Sequence, residues 1–257
     1  MPSARPVDCA APAQRLLGLL DLTLLDPQAA PAAIEALCAR AASRHGAPAA
    51  LCLWPTQLAA ARAGLGRRGL ANLPLATVVN FPDGGSDLDR LAGELDAARA
   101  SGADEIDAVL PWRALLAGDV ATCEAMLALC RQRCGDRVRL KIILESGCLP
   151  PAAIVQASRL AIAAGADFLK TSTGKAEQQA TPEAAALMLG AIADSGSRCG
   201  FKASGGLRTP AQAWQYLELA ERALGAAAVT PARFRLGASS LVDALHRCID
   251  GDAAAWQ

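Results

Sequence analysis

The chain is short of lysine. Its 257 residues include twenty-one arginines but only four lysines, Lys141, Lys170, Lys175 and Lys202. Formal net charge is zero and no basic block occurs, which argues against a nucleic-acid or anionic-membrane partner. Long apolar runs are missing too. The run LLGLL near the N-terminus is interrupted by Asp21; it is too short to span a bilayer, and no small-residue cleavage pattern follows it. A soluble, cytoplasmic protein without a targeting segment is expected. There are only two histidines, His45 and His246, and the nine cysteines are irregularly spaced without a CxxC. That excludes an assembled zinc set and a disulfide framework, and leaves reduced thiols serving as small core residues.

What the chain does have is repetition. Hydrophobic residues make up 53% of it, enough for a substantial core. Short β-rich runs recur about every thirty residues: LLDLTLL (19–25), AALCLWP (49–55), PLATVVNFP (74–82), EIDAVLP (105–111), RLKIILES (139–146), FLKTST (168–173), GFKASGG (200–206) and RFRLGASS (233–240). Alanine- and leucine-rich segments of helical period lie between them. PAAIEALCARAASRHG is expected to close on Gly46, and DLDRLAGELDAARASG on Gly102. The strands are nearly continuous apolar runs, as helix-covered strands should be. Eight β–α units without a linker predict an α/β fold, a single (β/α)8 TIM barrel over residues 1–257 with a short N-terminal extension and a short C-terminal tail. A doubly wound open sheet is the alternative.

Two motifs mislead. GLGRRG (64–69) matches a dinucleotide fingerprint in form, but it follows a helical segment and leads into a strand, the reverse of what that fingerprint needs. STGK is no Walker A loop, because the glycine required five positions before Gly174 is Leu169.

Barrel sites sit at the C-terminal ends of the strands. Asp21, Thr23, Asn80, Asp107, Glu145, Lys170 and Lys202 fall there. An internal echo links two of them: SGADEID and AGADFLK share Gly-Ala-Asp, and the fifth residue after that glycine is Asp107 in one and Lys170 in the other. Strands 4 and 6 should therefore present both at one height, since alternate strands fill one interior layer. Lys202 lies on the neighbouring strand 7. A lysine can lose its proton and become a nucleophile, whereas a guanidinium cannot. At an ordinary pKa near 10.4, about one amine in a thousand is free at neutral pH. Burial and a second lysine nearby both lower that pKa, and the freed amine can attack a carbonyl to form a Schiff base, with a nearby carboxylate moving protons. An Asp–Lys ion pair that merely fills the barrel is the competing reading.

The stretches TSTGK, SGGLR and LGASS end strands 6, 7 and 8. Glycines let backbone N–H groups approach an anion, and the loops after strands 7 and 8 are a common phosphate site. Ser239 and Ser240 can cap the last helix and donate to the same group, and Lys175 supplies charge. Lys141 reads as the start of strand 5, away from the rim, a structural barrel lysine.

In order and over nearly the whole chain, DLTLL, TVVNFP, GADEID, LKIILESG, GADFLKTSTGK, GFKASGGLRT and FRLGASS resemble the deoxyribose-phosphate aldolases. That resemblance implies a class I, metal-independent aldolase, without cofactor, on a (β/α)8 barrel. Such an enzyme interconverts 2-deoxy-D-ribose 5-phosphate with acetaldehyde and D-glyceraldehyde 3-phosphate. It implies Lys170 as the Schiff-base lysine and Asp107 with Lys202 as the acid/base pair. Lys175, Gly174, Gly205, Gly206, Gly237, Ser239 and Ser240 match the phosphate loops, and Asp21, Thr23 and Thr173 the sugar end of the pocket. Two departures stand out. Ala203-Ser204 follows Lys202 where close relatives carry Pro-Ala, which predicts a less rigid end to strand 7. The chain closes on AAAWQ rather than on a tyrosine that helps proton transfer, and its one tyrosine, Tyr216, falls in a helix. Another Schiff-base aldolase or transaldolase on the same barrel, and a non-catalytic phosphate-binding barrel, are the rival readings. A two-fold homodimer is the default assembly.

Overall fold

The apolar runs become strands that pair side by side in chain order. A computed structural model describes residues 8–257. In it β1 (Leu20–Leu24), β2 (Ala50–Leu53), β3 (Leu75–Val79), β4 (Glu105–Val109), β5 (Arg139–Ile143), β6 (Phe168–Lys170), β7 (Gly200–Ser204) and β8 (Phe234–Ala238) form one closed parallel barrel. The helix α1 (Ala10–Leu17) precedes it. Around it run α2 (Pro31–Ala41), α3 (Leu58–Gly66), α4 (Leu88–Ala100), α5 (Trp112–Leu116), α6 (Val120–Cys134), α7 (Pro151–Ala163), α8 (Pro182–Ser195), α9 (Pro210–Leu224) and α10 (Leu241–Ile249). This is the (β/α)8 barrel rather than the open sheet. No helix among the described residues is long and apolar enough to cross a membrane.

Local chemistry sets the helix ends. Four helices begin on a proline in their first turn, where its fixed φ fits and its missing N–H is not needed. Thr181 and Thr209 precede two of these, and their side chains accept from Ala184 N and Gln212 N. Gly102 does close the turn after α4, at a φ of 82° that glycine tolerates. Gly46 does not end α2, which stops at Ala41. Ser43 bridges to Gly46 and its hydroxyl donates to the Gly46 carbonyl at 3.0 Å, a local bond that competes with the helix. GLGRRG is the end of α3 and the turn towards β3, as expected.

Period-two alternation sorts the strand side chains. On β4, Ile106 and Ala108 join the outer core against the helices, whereas Glu105 and Asp107 reach the interior ion pairs. A smaller apolar cluster of Cys52, Ala76, Val78, Phe81, Val109 and Ile143 comes from the β2–β5 half. Each sequence run outlasts its strand at the C-terminal end. The overhangs, such as Thr171–Thr173 after β6, leave the ladder and become the loops at the barrel mouth. The last turn (Ala253–Trp256) folds back outside the barrel, where Trp256 is buried against Trp214 with ring centroids 5.9 Å apart.

Candidate active site

Register builds the site. Across β4–β5 Asp107 faces Lys141, across β6–β7 Lys170 faces Lys202, and across β7–β8 Lys202 faces Arg235. The Asp107 carboxylate gathers three lysines. Its Oδ1 accepts from Lys141 Nζ at 2.6 Å, and its Oδ2 accepts from both Lys170 Nζ and Lys202 Nζ at 2.8 Å. Lys202 also donates to Asp21 Oδ2 at 2.5 Å, and Lys141 reaches Glu105 Oε2 at 2.6 Å. Arg235 joins Asp21 to Glu105. Every member of this network is buried.

Lys141 therefore corrects the sequence reading. It stands mid-strand in β5 with its ammonium on the carboxylate that serves Lys170, not apart from the site. Asp107 and Lys170 do share one space, as the internal echo predicts.

The lysines diverge electrostatically. Burial lowers the pKa of Lys170, and Lys202 adds to that against the pull of Asp107; the net direction is down. Burial acts the same way on Lys202 and Lys141, but Asp107 and Asp21 overcome it for Lys202, and Asp107, Glu105 and Asp21 for Lys141, so both rise. Burial would raise Asp107, yet Lys141, Lys170 and Lys202 together hold its carboxyl well below the usual range. One of the three lysines is thus disposed to shed its proton.

Above this network opens a cavity of about 460 Å3. Thr23, Lys170, Thr173, Gly174, Lys175, Gly205, Gly206, Gly237, Ser239 and Ser240 line it. Asp21, Asp107 and Lys202 do not; they lie buried beneath, and Asp21 is committed to Lys202 and Arg235. Lys175, Ser239 and Ser240 are exposed at the rim. Ser240 occupies the N-cap position of α10, but neither it nor Ser239 supplies the capping bond expected of them.

The loops are braced from below. Thr173 Oγ1 donates to Glu145 Oε2 at 2.6 Å and accepts from Lys175 N at 3.0 Å. Asn80 Nδ2 donates to the carbonyls of Gly85 and Val109, so Asn80 and Glu145 support loops rather than line the cavity. The end of β7 is not loose. Ser204 N donates to Thr171 Oγ1, Thr171 Oγ1 donates to Ser204 O, and Ser204 Oγ donates to Ser172 O; these bonds lace β7 to β6. Two glycines are sterically required. A Cβ on Gly205 would meet Gln179 Oε1 at 2.7 Å, at a φ of +94°, and one on Gly237 would meet Ser204 Cβ at 2.9 Å and Lys202 Cε at 3.0 Å. The wall also contains Gln179, Ser204 and Arg208, which sequence reasoning left out. Arg208 was within reach, being the last residue of SGGLR; Gln179 belongs to a loop without a motif. Tyr216 lies on α9 with its hydroxyl on the Ala180 carbonyl at 3.1 Å.

Comparison with known proteins agrees with this geometry. The profile of the DeoC/LacD family aldolases matches residues 19–246. A deoxyribose-phosphate aldolase of Agrobacterium fabrum (strain C58) is 45% identical over 248 residues, covering 96% of this chain and 94% of that protein. Among solved structures, the apo form of a candidate deoxyribose-phosphate aldolase from Toxoplasma gondii ME49 superposes with a TM-score of 0.84 at 25% identity, over 94% of this chain and 97% of the other. One from Coccidioides immitis, a candidate for the same activity, gives 0.74 at 29% identity, over 90% and 85%. With the family profile running from β1 into α10 and a 45% identical relative over most of its length, the chain belongs to the DeoC/LacD aldolase family.

Proposed function

We propose that this protein is a class I aldolase that reversibly cleaves 2-deoxy-D-ribose 5-phosphate to acetaldehyde and D-glyceraldehyde 3-phosphate. Lys170 carries the reading: a nearly buried amine, held towards its free-base form, that opens on a cavity ringed by glycines. Lys170 Nζ attacks the aldehyde carbon of the open-chain sugar. Lys202 donates a proton to the departing oxygen and water leaves, giving a protonated imine. Asp107, as carboxylate, accepts the C3 hydroxyl proton. The C2–C3 bond then breaks, its electron pair passes into the imine as an enamine, and D-glyceraldehyde 3-phosphate departs. Protonation of the enamine carbon and hydrolysis release acetaldehyde and the free amine.

Thr23 and Thr173 face the sugar end, and Asp21 acts from beneath through Lys202. Backbone N–H groups around Gly174, Gly205, Gly206, Gly237, Ser239 and Ser240 receive the phosphate, with Lys175 adding charge. A two-fold homodimer is the assembly we expect, measurable by light scattering. Nine free thiols, eight of them buried, favour a cytoplasmic setting.

The test is trapping. Sodium borohydride with acetaldehyde should leave a reduced two-carbon adduct on Lys170 after peptide mapping. An adduct on Lys202 or Lys175 overturns the assignment, and no adduct at all removes the Schiff-base chemistry.

A further inference from the structure

The lysines that meet at Asp107 differ in what else they touch. Lys141 has Glu105 as a second carboxylate and Asp21 as a third at 3.8 Å, and Lys202 has Asp21. Lys170 has no second carboxylate among the described residues; its ion pair is with Asp107 alone. Arg235 spans the two outer carboxylates. Around the ring, Asp21, Glu105 and Asp107 carry three negative charges, and Lys141, Lys202 and Arg235 carry three positive ones. The interior is neutral before Lys170 is counted. A proton on Lys170 is an unmatched charge on a side chain that is 3% exposed.

The neighbouring elements bring no further ion pair to Lys170 among the described residues. β2 contributes Cys52, whose thiol burial pushes towards the neutral form, and β3 contributes no ionisable side chain. Glu145, beyond β5, is committed to Thr173. Arg139 pairs with Glu105 from the lower rim, but its side chain is 35% exposed, so water and salt screen its charge.

We propose that Glu105 and Lys141, which do not line the cavity, are positioning residues for the Schiff-base step, because they close the charge balance of the barrel interior without Lys170 and so leave its amine neutral. This deepens the aldolase reading and rests on Lys170 being the nucleophile. Lys202 alone does not account for the effect, since Asp107 and Asp21 offset its charge. Parity over the whole ring does.

Parity predicts signs that a structural role does not. Lys141→Met leaves the interior one charge negative, so Lys170 takes up a proton and imine formation shifts to higher pH. Glu105→Gln leaves it one charge positive, so the profile shifts to lower pH. Each shift should be roughly one pH unit. The double variant restores neutrality and should return close to the wild-type profile. The measurement is the rate of borohydride-trapped adduct on Lys170 against pH, with acetaldehyde as probe, in the full-length chain. Opposite shifts that cancel in the double variant support the proposal. Shifts of one sign in both single variants, or a double variant that does not recover, overturn it. If Lys141→Met fails to fold, Glu105→Gln and the double variant still decide: an unmoved profile in Glu105→Gln overturns parity. Wild-type protein that forms no adduct on Lys170 sinks the aldolase reading itself. A wild-type adduct with a profile that no variant moves sinks only parity.

Discussion

Halfway round the barrel the inner wall changes character. From β2 to β5 the upper interior is apolar, with Cys52, Val78, Val109 and Ile143 in one cluster. From β6 to β8 and on to β1, the mouth is threonine, serine and glycine over the cavity. Lys170 stands at the junction, at the end of β6. Apart from Asp107 on β4, the apolar half offers its amine no counter-charge, which favours the free base. The glycine half exposes backbone N–H groups, which suit an anion. On the proposed function, one half tunes the reacting end of the substrate and the other holds the far end. On that reading the separation lets a neutral amine and an anion site coexist within one barrel.

The sharpest way to break this division is at the junction. Lys170→Arg keeps a long basic side chain but fixes a charge there and cannot form an imine; kcat should fall by at least about 10^4-fold, the scale of losing a nucleophile, and borohydride trapping should cease. Residual trapping would place the chemistry on another lysine.

Asp107→Asn acts beneath both halves. Turnover should fall by about 10^2 to 10^4-fold through loss of a proton carrier. Stability should drop by roughly 3–5 kcal/mol, because Lys141 and Lys202 keep their charges beside a neutral amide. Denaturant unfolding and steady-state rates check the two effects separately, and a variant as stable as wild type would show that the ion network is not held by Asp107.

Gly237→Ala probes the glycine half where it meets Lys202. Its Cβ would press on Ser204 and on Lys202 Cε, so KM for the 5-phosphorylated sugar should rise about tenfold with a smaller change for unphosphorylated deoxyribose. Equal losses on both sugars would deny this wall a phosphate-specific role.

The smallest effect belongs to the apolar half. Val78→Thr places a hydroxyl beside Asp107's strand, since Val78 and Asp107 are in register. Stability should fall by about 1–3 kcal/mol, read as a shift in the denaturant midpoint. The preference for phosphorylated over unphosphorylated substrate should stay fixed. A changed preference would join the two halves into one functional surface.

Much of this was legible in the sequence where information is local. Eight apolar runs between alanine-rich segments specified the strands, and repeated Gly-Ala-Asp turns placed Asp107 and Lys170 at one height. What failed was non-local. Lys141 appeared to be off the rim because strand position alone does not reveal that register sets it opposite Asp107. Ser204 appeared to loosen β7 because its partners, Thr171 and Ser172, belong to another strand end. Asp21 was drawn to the pocket by family likeness, while Arg235, which helps hold it beneath the cavity, lies 214 residues away in the chain. The extent of α2 failed locally, because a serine turn outcompeted the final helical residues before the glycine was reached.

The sparing use of lysine has a practical consequence. Three of the four lysines are buried in the barrel, and Lys175 alone is exposed, at the mouth. The arginines that cover the rest of the surface do not react with ordinary acylating reagents. Apart from the N-terminal amine, a bulky amine-coupling dye or an activated resin therefore finds one attachment point, and it is the doorway. Immobilising this protein through its lysines would orient every molecule with its entrance against the support. Coupling through an introduced surface cysteine on α6 or α7, away from the mouth, would leave the entrance open.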